Sequence, residues 1–299
     1  MRRFTLPSLV LALGLTTIAG GQSDGLGKQL GGGKIITGAT AQRLIHFTFD
    51  DGPDPETTPR LLDLLDRLHI KATFFFSASR FRGRQARNRH AADIAREALR
   101  RGHSIGSHSV DHQRMGRLSP GKLKAQLDEN ERLFDAVFGS RTFLFRPPFG
   151  SSNRRLDQML HQRRYTNVMW NIGLADWVQR PPEALLRTFQ KVLSRNEVRD
   201  GQRGGIVLLH DTHLWSVVAV ELLVRHLEQR NCVLFAQGQP LYDIVDDLSP
   251  FYESALEGDA GVEARLAQLP DPVFAERQLA LVDATRKRCE SKISQLSSH

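Results

Sequence analysis

Apolar and polar positions along this chain follow two periods in alternation. Short apolar runs recur at "LIHFTF" (44–49), "ATFFF" (72–76), "SIGSH" (104–108), "TFLF" (142–145), "TNVMW" (166–170), "GIVLLH" (205–210) and "CVLFA" (232–236). Each has the length and the β-branched or aromatic content of a strand. Between most of them apolar residues fall at helical spacing, as in Leu61, Leu62, Leu64, Leu65 and Leu68, or Leu123, Leu127, Leu133 and Phe134. Strands alternating with helices predict a parallel sheet with crossover connections, an α/β fold. About seven strands predict a closed or nearly closed barrel, in which polar chemistry collects where the strands end.

The flanks of this pattern differ from its centre. "MRRFTLPSLVLALGLTTIAGG" places Arg2 and Arg3 before an apolar run from Leu6 to Ala19 and a small-residue exit, so residues 1–21 read as a signal peptide. An uncleaved anchor is the alternative, although the run is shorter than the ~20 residues that a bilayer span needs. Residues 22–42, with "GLGKQLGGGKIITG", read as a flexible glycine-rich linker, and folded sequence is expected from Arg43 to residue 248. The final segment, 249–299, reads as a helical extension. Asp271 and Pro272 suit a helix start, and Phe274, Leu281, Val282, Cys289, Ile293 and Leu296 could line one face that packs on the barrel exterior. A partner-binding or wall-binding helix is the alternative.

Composition narrows the function classes. Forty per cent hydrophobic and 25% charged residues in 299 are ordinary for a globular protein. The net charge of +8 is spread along the chain among acids, and no zinc-finger or RNA-recognition signature accompanies it, so nucleic acid is not the expected partner. Attraction to an anionic cell-wall polymer fits the charge better. The only cysteines are Cys232 and Cys289, which removes any thiolate zinc site; they can pair only if the tail folds back on the domain.

Polar groups do gather at the expected strand exits. The first run ends in Asp50 and Asp51, the third leads into His108 and His112, the fourth into Arg146, the fifth is followed by Asp176 and Trp177, and the sixth ends on His210. Two histidines four apart on a helical turn would face one way and could hold one ion. About 0.4 such pairs arise by chance with 11 histidines in 299 residues, so a third ligand is needed to give the pair weight. A carboxylate from Asp50 or Asp51 would supply it, and adjacent residues at a strand end point to opposite sides, so the two aspartates should do different work. His46 and His103 read as structural histidines, while His213 and Trp215 read as cleft border or exposed loop. Neither a G-x-S-x-G nor a phosphate-binding loop occurs in the strand–turn–helix setting that each requires, "GQSDG" at 21–25 lying in the glycine-rich leader region.

"TFDDGPDP", "HSVDH", "RPPFG", "DW" and "IVLLH" stand in the order, and near the spacings, of the five motifs of the polysaccharide deacetylases (carbohydrate esterase family 4, the NodB homology group), which this chain resembles over about residues 43–248. The resemblance implies a distorted (β/α)7 barrel with, here, a C-terminal helical extension. It also implies a metal-dependent hydrolase that deacetylates a sugar polymer such as peptidoglycan, a chitin-like glycan or an exopolysaccharide. Carried over by motif, Asp50 resembles the catalytic base, and Asp51, His108 and His112 the metal ligands. Arg146 resembles the residue that orients the base, and His210 the catalytic acid with Asp176 as its support. Phe149 would offer a backbone N–H to the oxyanion, and Trp177 and Leu208 would wall the acetyl pocket. Zinc is the expected ion, with cobalt, nickel or manganese able to occupy such a site. Two departures stand out: Phe149 replaces the usual tyrosine, and Gly173 an aspartate often found three residues before Asp176. An O-acetyl esterase on xylan, or a non-catalytic wall-binding relative, are the competing readings; Asp50 and His210 argue against the latter.

Overall fold

The computed structural model describes residues 25–30, 32–252 and 267–296, with the main chain only for 29 and 291–296. The expected signal peptide lies outside the described residues. The elements in chain order are β1 (Ile35–Ile36), β2 (Leu44–Asp50), α1 (Thr57–Arg67), β3 (Thr73–Phe76), α2 (Ala86–Arg100), β4 (Ser104–Ser107), α3 (Pro120–Phe138), β5 (Leu144–Phe145), α4 (Arg154–Gln162), β6 (Thr166–Val168), β7 (Ile172–Gly173), α5 (Pro182–Asp200), β8 (Gly205–His210), α6 (Leu214–Ala236), β9 (Asp243–Ile244), α7 (Ser249–Tyr252) and α8 (Asp271–Leu296). Among the described residues every ladder is parallel, in the order β1-β6-β5-β4-β3-β2-β8-β7, with β9 added beside β2. No described ladder joins β1 to β7, so the sheet curls into an incomplete barrel.

The alternation of side chains along β2 explains where the chemistry goes. Ile45, Phe47 and Phe49 face the helices and join the main core with Phe74, Phe76 and the apolar stripes of α1, α5 and α6. Leu44, His46, Thr48 and Asp50 alternate with them and face the concave side. There Leu44, Phe75, Leu144, Val168 and Ile206 form a second core, so Asp50 is the last step of a row that begins in apolar packing. His46 is a satisfied histidine of that row: its Nδ1–H donates to Val245 O at 2.8 Å, and its Nε2 lies 2.9 Å from Thr73 Oγ1. His103 is buried too, accepting the Ala72 N–H.

Three local expectations are corrected. The tether expected over 22–42 instead contributes β1: Ile36 is buried, and the Asn167 and Met169 N–H groups donate to Lys34 O and Ile36 O at 2.8 and 2.7 Å. Two isoleucines sufficed because the β6 edge had ladder donors to satisfy. "CVLFA" is not a strand but the last turns of α6, where Leu223, Leu227 and Leu234 continue one helical stripe and the Asn231 amide ties the helix to Tyr242. His108 and His112 do not lie on a helical turn; the segment after β4 is a loop.

The tail packs back on the domain. Leu281 and Val282 touch the main core, Phe274 touches the second one, and Cys232 and Cys289 form a disulfide. Ile293 and Leu296, expected on the same face, have side chains outside the described residues. No helix among the described residues is long and apolar enough to cross a membrane.

Candidate active site

All exits of the central strands open on one face of the sheet. Of the seven non-glycine residues with positive φ among the described residues, Asp51, Ser109, His112, Phe149 and Ala175 lie on these exit loops, a concentration of costly backbone typical of working sites. Asp51, at φ 79°, follows the end of β2, and this turn brings its carboxylate to the same imidazole that Asp50 faces: Asp51 Oδ1 and Asp50 Oδ2 lie 3.5 and 3.8 Å from His108 Nε2. Gly52 follows because nothing larger fits: a Cβ there would lie 2.0 Å from Asp211 Oδ2.

Asp51, His108 and His112 come together, with one ligand atom from each within 4.8 Å of the others. His112 Nε2 is 3.2 Å and His108 Nε2 3.5 Å from Asp51 Oδ1. That oxygen is buried and accepts no hydrogen bond of sound geometry, as expected of an oxygen waiting for an ion. The His108 Nδ1–H donates to Arg146 O at 2.8 Å, which fixes the tautomer and leaves Nε2 for the cluster. Burial holds His108 below the usual histidine range, which favours the neutral form in which an imidazole can bind a metal. Burial alone would raise Asp51, but the His112 contact and the fields of His108 and His210 bring it well below the usual carboxylate range. One carboxylate and two imidazoles suit a divalent ion of the zinc type.

Asp50 and Arg146 form a buried pair beside this cluster. Arg146 Nη1 donates to Asp50 Oδ1 and to Thr48 Oγ1, both at 2.8 Å, and Nε donates to Val168 O at 2.8 Å. The guanidinium also stacks 4.1 Å over Phe75. Asp50 Oδ2 lies 3.8 Å from His108 Nε2, so one oxygen is anchored and the other faces the cluster.

His210 and Asp176 form the second pair. The His210 Nδ1–H donates to Asp176 Oδ1 at 2.8 Å; Oδ2 accepts the His210 main-chain N–H at 2.7 Å and Ser216 Oγ–H at 2.6 Å. Burial alone would lower the imidazole, but the Asp176 hydrogen bond and charge raise it to about 9. Its Nε2 stands 3.9 Å from Asp51 Oδ2, aimed at the cluster. Trp177 meets His210 edge-on at 5.6 Å, Leu208 shares its strand face two residues back, and Phe149 packs edge-on to His112 at 4.6 Å. Trp177 and Phe149 are more than half exposed and border the site. His213 stacks on Trp215 at 4.5 Å, and the Trp215 indole N–H donates to Asp176 O, so this pair supports the His210 side.

One buried group escaped the sequence reading. Asp211 is fully buried beneath Gly52 and accepts from Thr58 Oγ1 at 2.6 Å, with Oδ1 unpartnered. Burial pushes its carboxyl up to about 7. Its signal was an acid directly after the strand-end histidine.

The family model for polysaccharide deacetylase matches residues 37–168. The peptidoglycan-N-acetylglucosamine deacetylase of Bacillus cereus is 32% identical over 170 residues, covering 57% of this chain and 73% of that one. The peptidoglycan-N-acetylmuramic acid deacetylase PdaC of Bacillus subtilis is 28% identical over 198 residues, 66% of this chain but only 38% of the relative. Among solved structures, the chitin deacetylase of Colletotrichum lindemuthianum superposes with a TM-score of 0.58 at 26% identity, covering 66% of this chain and 87% of that one. A CE4 family pseudoenzyme of Bacillus anthracis, at 22% identity and a TM-score of 0.56, shares the fold. With motifs, fold and relatives in agreement, this chain belongs to the polysaccharide deacetylase family.

Proposed function

We propose that this chain is a divalent-metal-dependent hydrolase that removes N-acetyl groups from a glycan polymer outside the cytoplasm. The observation that carries this reading is the Asp51–His108–His112 cluster flanked by the Asp50–Arg146 and His210–Asp176 pairs. A cation held by the three ligands would supply Lewis acidity. Asp50, anchored through Oδ1, keeps Oδ2 free to take the proton of the attacking water. His210 holds a proton on Nε2 and gives it to the departing amine, without which an amide does not break. The Phe149 main-chain N–H is the donor to the oxyanion, and Trp177 and Leu208 wall the acetyl group. Zinc suits the donor set best, with cobalt, nickel or manganese as substitutes.

The names of the relatives favour an N-acetylated wall glycan as substrate. The disulfide and the N-terminal pattern of residues 1–21 support export to an oxidising compartment. The test is acetate release from a panel of N- and O-acetylated polymers, with and without chelator. Asp50→Asn should keep the ion and lose about a thousandfold in turnover, whereas Asp51→Asn should lose the ion. Full turnover in chelator overturns the metal reading; release from O-acetyl xylan alone favours the esterase; release from no polymer favours a binding protein.

A further inference from the structure

A cavity of about 810 Å³ opens beside the Asp51–His108–His112 cluster, and its lining includes Asp51 and His112 together with Arg80, Arg82 and Arg87. Its charges do not cancel. Asp51 belongs to the ion, and Asp111, the other acid of the lining, lies 3.2 Å from Arg82, which also reaches Glu129 at 3.5 Å. Arg82 is thereby fixed and neutralised. Arg80 and Arg87 form no ion pair among the described residues and both are exposed where they line the cavity; the field of Arg80 reaches Asp54 and Asp211, whereas Arg87 has no such acid beside it. Arg114, stacked 4.2 Å over Phe149, adds a cation on the ring that touches His112.

Helix α2 makes this arrangement costly without an anion. Its first turn carries Arg87 and no acid, and Gln85 at the N-cap makes no side-chain cap hydrogen bond, yet both residues line the cavity. Cations near a helix N-terminus oppose its dipole, and a negative group placed there would relieve the conflict. Two guanidinium forks without an ion pair, set at a helix N-terminus on one open cleft that reaches the metal cluster, together describe a carboxylate site.

We propose that Arg80 and Arg87 bind a carboxylate carried by the glycan, so that the preferred substrate is an acidic N-acetylated strand, as in muramic-acid polymers, over a neutral chitin-like one. This rests on the deacetylase reading for the position of the acetyl group, but binding tests it independently of turnover. Titration calorimetry on the full-length protein compares three probes: chitohexaose, peptide-free strands of alternating N-acetylglucosamine and N-acetylmuramic acid, and the same strands with their carboxylates methyl-esterified. The acidic strands should bind about tenfold or more tighter than either neutral probe, with the preference declining as salt rises. In Arg80→Glu/Arg87→Glu the ratio of affinities should fall towards one, and Arg80→Gln/Arg87→Gln, checked for an unchanged melting curve, should do the same more weakly. An unchanged ratio in both variants, or equal affinity of the native chain for all three probes, overturns the proposal. Loss of acetate release from every polymer would instead strike the functional reading and leave this binding comparison intact.

Discussion

Arg146 donates to Asp50 at 2.8 Å inside a pocket from which water is almost wholly excluded; the arginine is 0% and the aspartate 2% exposed. Neither charge is tolerable there alone. Arg146→Met should therefore cost about 3–5 kcal/mol of stability by leaving Asp50 uncompensated. Asp50→Asn added to the same chain should restore a good part of it. Urea unfolding of the two single variants and the double gives the coupling energy, and simple additivity would show that the pair is not coupled.

His210 is raised to about 9 because Asp176 outweighs burial. In the proposed role of acid it stays protonated until pH climbs through that value, so turnover should fall on an alkaline limb near 9. Asp176→Asn leaves burial opposed only by the weaker fields of Asp50 and Asp51 and should move that limb to lower pH, with kcat reduced about a hundredfold. The sign for folding is the same: a histidine raised in the folded state adds stability below its unfolded pKa, and loses it as pH rises through the folded one. A pH–rate profile of both proteins decides, and an unmoved limb would remove Asp176 from its supporting role.

Asp211, pressed beneath Gly52, titrates near 7 because burial disfavours its charge. Its contribution to stability is complete below about pH 4 and declines as pH rises through 7, since the folded carboxyl holds its proton more tightly than the unfolded one. Asp211→Asn should escape that decline, so the difference in Tm between variant and native chain should shift in favour of the variant between pH 5 and pH 8. A difference that stays constant over this range would place the titration elsewhere.

The Cys232–Cys289 bridge closes a loop of 57 residues between α6 and α8. Chain-entropy arguments assign such a closure about 4 kcal/mol. Cys289→Ser, or the native chain under reductant, should melt at clearly lower temperature yet release acetate at 25 °C almost normally, because α8 packs on α6 and β9 rather than on the strand exits. An equal Tm would mean that the tail contributes little.

The site was legible because its residues sit where a strand stops, and a strand's end is visible in the apolar pattern. Asp50, Asp51 and His210 terminate the two longest strands, so their placement followed from the ladders. His112 depends instead on a positive φ in a loop, which spacing misread as helical. β1 was hidden because two isoleucines among glycines carry no period, and the end of α6 because five apolar residues in a row have no period of their own. Arg80 and Arg87 went unnoticed among many scattered arginines: only the fold brings them to one cavity with Asp51.

The bridge has a topological consequence should a protease reach the tail. Any cut of the backbone between Cys232 and Cys289 severs the sequence without separating the pieces. Such a nicked molecule would keep its tail, run at full mass without reductant, and fall into two fragments only once the sulfurs are parted.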